Sequence, residues 1–150
     1  MSRRAWELVS SGGPFNIVAY AVPVTSPPPT YTSARVGDLT LRLDAVDNTE
    51  STRERGYMGW PEPLPLHGQV FVWSAASPDV FWMRDVPYPL DIAFVDIATV
   101  VGVETMSPCA NVARCPTYGP SGPYTMAIEA RAGTFDHVAP GTRVELIVGT

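Results

Sequence analysis

Leu39-Thr40-Leu41-Arg42-Leu43-Asp44-Ala45 is the stretch that decides the fold class. Its apolar residues Leu39, Leu41, Leu43 and Ala45 alternate with Thr40, Arg42 and Asp44. Successive side chains of a strand point to opposite faces, so this period of two marks a strand with one buried face. Further apolar runs follow at Gln69 to Trp73, Val80 to Arg84, Leu90 to Asp96 and Thr99 to Met106. Tyr124, Met126, Ile128 and Ala130 alternate again, and Val144, Leu146 and Val148 make the last strand. Turn-forming residues separate these runs: Ser77-Pro78-Asp79, a Pro- and Gly-rich connection over 107–123, and Ala139-Pro140-Gly141-Thr142. The expectation is a mainly-β, compact sandwich- or barrel-like domain of about seven or eight short strands. Ser51 and Glu54 have capping-box spacing, which predicts one short helix ending at Gly56 or Gly59.

Residues 36–150 are expected to form this single domain, which fits a chain of 150 residues. Residues 1–35 read as an extended arm, with a strand somewhere in Phe15 to Val22 and a polyproline stretch at Ser26-Pro27-Pro28-Pro29. Sixteen prolines and 12 glycines leave little room for long helices. Hydrophobic residues make up 45% and charged residues 17%, a globular composition with a lightly charged surface. The net charge of −5 and the absence of any basic stripe argue against a nucleic-acid partner. All ten basic residues are arginine. No run of about 18 apolar residues exists to span a membrane. Arg3-Arg4 faintly suggests an export signal, but Glu7, Ser10, Gly12, Pro14 and Asn16 interrupt the apolar segment that such a signal needs. A cytoplasmic or particle-associated location is therefore expected over export.

Several segments together resemble the domain-of-unknown-function family 192 over roughly residues 38–148. They are Thr52-Arg53-Glu54-Arg55-Gly56-Tyr57-Met58-Gly59, Gly68-Gln69-Val70-Phe71-Val72-Trp73 and the most specific stretch, Phe81-Trp82-Met83-Arg84-Asp85-Val86-Pro87-Tyr88-Pro89-Leu90-Asp91-Ile92-Ala93-Phe94-Val95-Asp96. Met106-Ser107-Pro108-Cys109, Cys115-Pro116-Thr117-Tyr118 and Ala127-Ile128-Glu129-Ala130-Arg131-Ala132-Gly133 complete the match. The resemblance implies a β-sandwich-like fold with one short helix and no particular activity. Members of that family occur in bacteria, archaea and phage genomes. Asp85 stands where the family usually has Asn.

The polar part of the best-matching stretch holds the candidate site residues Arg84, Asp85 and Asp91. In Leu90 to Asp96, Leu90, Ile92 and Phe94 share one face while Asp91, Ala93 and Val95 share the other. Asp91 thus sits among apolar neighbours and needs a partner. That partner is either Arg84, loop backbone N–H groups in a purely structural role, or a ligand. Alternation also puts Phe81 and Met83 opposite Trp82 and Arg84: either a buried Phe81 leaves Trp82 exposed beside a guanidinium, as in binding hot spots and sugar-stacking platforms, or the second face is covered too and both rings are buried. Tyr118 is a further candidate. Cys109 and Cys115 are a candidate disulfide that would close a seven-residue loop and add roughly 2 kcal/mol. His67 and His137 are too distant in sequence to suggest a metal site, and no cofactor motif is present.

The leading expectation is a non-enzymatic domain working through its surface and arm, associated with a protein partner or with itself, for example in a phage particle as a capsid decoration or cement protein. The alternative is a small-ligand or carbohydrate-binding domain using Trp82, Arg84, Asp85 and Asp91. An enzyme using Asp91 with Tyr118 ranks third.

Overall fold

The structure is a computed structural model that describes residues 7–10, 17–20, 30–77 and 79–149. The strands are β1 (Glu7–Ser10), β2 (Ile17–Tyr20), β3 (Tyr31–Val36), β4 (Leu39–Asp47), β5 (His67–Ser77), β6 (Phe81–Trp82), β7 (Leu90–Asp96), β8 (Thr99–Met106), β9 (Thr117–Tyr118), β10 (Tyr124–Arg131) and β11 (Val144–Val148). One α-helix, α1 (Glu50–Arg55), lies between β4 and β5, and a 3-10 turn occupies Val112–Arg114. The domain is mainly β with one short helix, as the alternating sequence requires. Among the described residues no helix is long and apolar enough to cross a membrane.

Strands β1 and β2 pair antiparallel with each other. The polyproline stretch expected at Ser26 to Pro29 lies outside the described residues. The arm expectation is corrected at its C-terminal end: Tyr31–Val36 is a strand of the main sheet, paired on one side with β11 and on the other with β4.

Seven strands form that sheet in the order β11-β3-β4-β5-β10-β7-β8. All neighbours are antiparallel except β4 and β5, which run parallel. A parallel pair needs a crossover, and the segment carrying α1 supplies it. The sheet curls until its ends touch. Val144 N donates to Ala98 O (2.9 Å), Val100 N donates to Thr142 O (2.8 Å), and Thr99 bridges Arg143. The product is a curled half-barrel, with β6 and β9 as a small second sheet outside it.

Each of the seven strands contributes to the apolar interior of the curl: Val36, Leu41, Val70, Val95, Val100, Ile128 and Val144 are among its members. A second apolar cluster covers the outer face, where Leu90, Ile92 and Phe94 meet Phe71, Met83 and Tyr57. Tyr124 follows the alternation only in part. It packs on the outer face, whereas Ile128 and Ala130 point inward, because a bulge separates Tyr124 from Met126. Between these two pairs β10 advances by two residues while β5 runs from Ser77 to Val72.

The N-cap of α1 is Thr49, two residues before the expected Ser51. Thr49 accepts from Thr52 N (3.3 Å), while Thr52 Oγ1 accepts from Thr49 N (3.2 Å), so threonine fills both roles of the capping box. Gly56, at φ 45°, ends the helix as expected. The expected strand over Val80 to Arg84 shrinks to Phe81–Trp82, and the long 107–123 connection contains both the 3-10 turn and β9.

The turn joining β7 to β8 is a two-residue hairpin with Ile97 at φ 45° and Ala98 at φ 61°. Such turns favour Asn-Gly, and left-handed backbone strains a β-branched residue. Ile97 is 85% exposed and gains little packing in return. Replacing Ile97→Asn together with Ala98→Gly is expected to stabilise the domain by about 1 kcal/mol, read as a raised urea midpoint with unchanged slope.

Candidate functional site

The residues singled out from sequence fall on opposite faces of the sheet. Asp91 is buried with Ala93 and Val95 inside the curl. Its Oδ1 accepts from Thr105 Oγ1 (2.7 Å), and its Oδ2 accepts from Gly133 N and Phe135 N (2.9 Å each). These bonds fasten the turn after β10 onto β7. The backbone N–H partner weighed from sequence is the one found. Arg84 is not its partner: its Nε lies 3.7 Å from Asp85 Oδ2 at the surface. Asp91 therefore plays a structural part.

Tyr118 sits opposite Phe81 in the small sheet, and its hydroxyl accepts from Ser107 N (3.3 Å). Cys109 and Cys115 form a disulfide, with Cα atoms 5.3 Å apart, that encloses the 3-10 turn just before β9. Tyr118 and the disulfide thus position β9, which in turn holds β6 and Trp82. His67 Nδ1 lies 2.8 Å from Asp44 Oδ1, a local pair at the start of β5. No cluster of three or more metal-ligating side chains occurs among the described residues.

Trp82, Arg84 and Asp85 do converge, at a cleft of about 950 Å³ between α1 and the segment Asp79 to Val86. Asp85 has φ 58°, a left-handed conformation that Asp and Asn tolerate better than most residues. The exchange of the family's usual Asn for Asp therefore suits this backbone. Arg84 lies over the ring of Trp82, 5.4 Å from its centroid, and the ring is 44% exposed. Opposite, Arg53 of α1 lies 5.1 Å from the Trp73 centroid and donates from Nη1 to Val72 O (3.1 Å), which pins the helix to β5. Edge-to-face contacts continue the wall from Trp73 to Phe81 (6.0 Å) and from Phe81 to Phe71 (5.1 Å). Such pairs each add roughly 0.5–1.5 kcal/mol beyond their buried area and hold the rings in fixed poses.

The floor of the cleft is polar. Glu129 of β10, only 4% exposed, lines it, with Gly56 and Phe71 alongside. Next to it, Gln69 Nε2 donates to Asp47 Oδ2 and to Gly56 O (3.1 Å each) in the amide orientation that satisfies both acceptors. Burial, and then the charge of Asp47, pushes the Glu129 carboxyl up to about 8. Burial also raises Asp47 to about 6, against the opposing pull of Arg53 and Arg55. Near neutral pH the pair thus holds one ionised and one protonated carboxyl. Glu129, the more strongly raised of the two, faces the cleft.

Sequence reasoning missed Glu129, Gln69 and Asp47. The signal for Glu129 lay in the alternation itself. Tyr124, Met126, Ile128 and Ala130 were assigned one buried face, which leaves Glu129 on the other face of a strand that turns out to be buried on both sides.

A curled β-sheet carrying an aromatic-walled cleft beneath a short helix is thus the class of protein that fold and site define. The family model DUF192, described as an uncharacterised conserved family, matches residues 33–146, and the chain belongs to that family. The fold is similar to that of a protein of unknown function from Novosphingobium aromaticivorans (TM-score 0.68, 20% identity, covering 96% of this chain and 94% of that one). It is also similar to a proposed transcription regulator from Sinorhizobium meliloti (TM-score 0.62, 24% identity, covering 81% of this chain and 97% of that one). A comparison with curated proteins finds no match.

Asp91→Ala is expected to cost about 3 kcal/mol, because it strands the buried Phe135 N–H and also removes the bonds from Gly133 N and Thr105 Oγ1; urea denaturation measures it. Glu129 makes a second prediction. Its folded value of about 8 lies above the ordinary 4.5. Its contribution is therefore fully present below about 4.5 and lost as pH rises through about 8. The stability of the wild type minus that of Glu129→Gln should fall across that window in pH-dependent urea melts.

Proposed function

We propose that this domain binds a small ligand in the cleft between α1 and the segment Asp79 to Val86. One observation carries the reading: a cavity of about 950 Å³ joins an exposed Trp82 at its rim to a buried carboxyl, Glu129, at its floor. Ligand pockets are typically clefts of about 300–1,000 Å³ with aromatic walls and a few placed polar groups. Trp82 supplies a stacking face, Arg84 and Asp85 supply polar contacts at the mouth, and Arg53 fixes the opposite wall. Asp91 and Tyr118 take no direct part, which leaves the enzyme reading without its acid or base. The assembly reading depends on the N-terminal arm, most of which lies outside the described residues.

Low homology keeps the regulator from Sinorhizobium meliloti as a guide to fold alone, and a net charge of −5 speaks against a nucleic-acid partner for this chain. Ligand-observed NMR with a library of uncharged, cationic and anionic ring compounds tests the proposal. Binders should lose at least tenfold in affinity on Trp82→Ala, a surface change that leaves the melting profile intact. If no library member binds at millimolar concentration, or if binding survives both Trp82→Ala and Arg84→Ala, the cleft is not a ligand site.

A further inference from the structure

Glu129 has an environment unlike that of Asp91, a buried carboxylate on the other face of the sheet. Asp91 accepts three hydrogen bonds from its own fold. At Glu129, burial and then the charge of Asp47 both push the carboxyl up. Its carboxyl nonetheless lines an open cleft. A ligand seated in the cleft can therefore reach this carboxyl and hydrogen-bond with it.

The charges around Glu129 select what that ligand presents. Asp47 approaches from β4, and Arg53 and Arg55 of α1 act on Asp47. Tyr57 follows the helix and Tyr88 lies in the loop before β7; burial first, and nearby carboxylates after it, keep both phenols neutral. Across the cleft stand Asp79, Arg84 and Asp85, with Glu50 and Glu54 at the helix edge. The rim therefore carries both signs. A cationic ligand would compete with Arg53 and Arg84, which already lie over Trp73 and Trp82. An anionic ligand would be driven against the Asp47–Glu129 pair. An uncharged ring with several hydroxyls meets neither obstacle. Its apolar face packs on the exposed Trp82 ring, and its oxygens address the acid floor and the arginines.

Resting on the cleft reading, the geometry points to Glu129 as the anchoring group of the site, donating its carboxyl proton in a hydrogen bond to a hydroxyl or ring oxygen of an uncharged saccharide-class ligand. Glutamine keeps a neutral donor at this position, whereas methionine keeps only the bulk. Charge and donor can therefore be separated.

The experiment titrates full-length protein with three probes, methyl glucoside, benzylamine and benzoate, by NMR from pH 6 to 9.5. Methyl glucoside is expected to bind best. Its affinity should be flat at low pH and fall toward about tenfold per pH unit above about 8, as the donor proton is lost. Glu129→Gln should bind within about threefold of the wild type with no such decline, while Glu129→Met should lose at least tenfold. If benzylamine binds best, with affinity rising through the same window, Glu129 acts as an anion and the inference is overturned, although a cleft ligand remains. pH-independent binding of methyl glucoside, or undiminished binding to Glu129→Met, also overturns it and leaves the cleft reading standing. If no probe binds through Trp82, the cleft reading itself falls with it.

Discussion

Leu90, Ile92 and Phe94 on one side of β7, and Asp91, Ala93 and Val95 on the other, are all withdrawn from water. A strand buried on both faces needs a layer on each. The inner layer arises because the seven-stranded sheet curls until the start of β8 meets the segment leading into β11. The outer layer has no second large sheet to supply it. It is assembled from the turn that follows α1, which brings Tyr57, Met58 and Trp60, and the Phe81 to Val86 segment braced by β9 and its disulfide. These pieces are short and cover the outer face incompletely. The uncovered part is the cleft.

Two buried acids show how the same constraint leads to opposite outcomes. Inside the curl, Asp91 is met by a turn whose N–H groups converge on it, so its charge is used to lock loop to strand. On the outer face, Glu129 lies beside Asp47 where the covering layer is thin. Burial disfavours ionisation, and a neighbouring negative charge disfavours it further. The protein accommodates this by keeping one carboxyl protonated and by placing Gln69 between Asp47 and the backbone of Gly56. Raised carboxyls of this kind cluster at functional sites, because an acid held neutral at physiological pH is a hydrogen-bond donor that water-exposed carboxylates cannot be.

Much of the fold was legible because strand alternation is written directly in residue order. Leu90 to Asp96 divided correctly between two faces, and Gly56 was identifiable as a helix end. Alternation set Trp82 opposite Phe81 but left open whether a second covered face buries both; in the structure Phe81 packs against the outer apolar cluster and Trp82 is exposed. What was not legible depends on register and on contacts distant in sequence. The bulge after Tyr124 reverses a facing that strict alternation cannot anticipate. The partners of Asp91 come from residues 14, 42 and 44 positions away, so Arg84, seven residues off, was the nearest candidate and the wrong one. The Asp47–Gln69–Glu129 group is drawn from three strands, β4, β5 and β10, that become neighbours only through the parallel crossover. Residues that read as ordinary polar members of separate strands become a site only once that topology exists.

The account stands on one physical claim, that the cleft floor holds a carboxyl kept neutral by burial and by Asp47. Direct observation of the Glu129 carboxyl carbon by NMR, in protein carrying labelled glutamate and assigned through Glu129→Gln, measures it without any ligand. The account predicts a midpoint near 8. A midpoint close to the ordinary 4.5 would show a solvated, ionised side chain and contradict it.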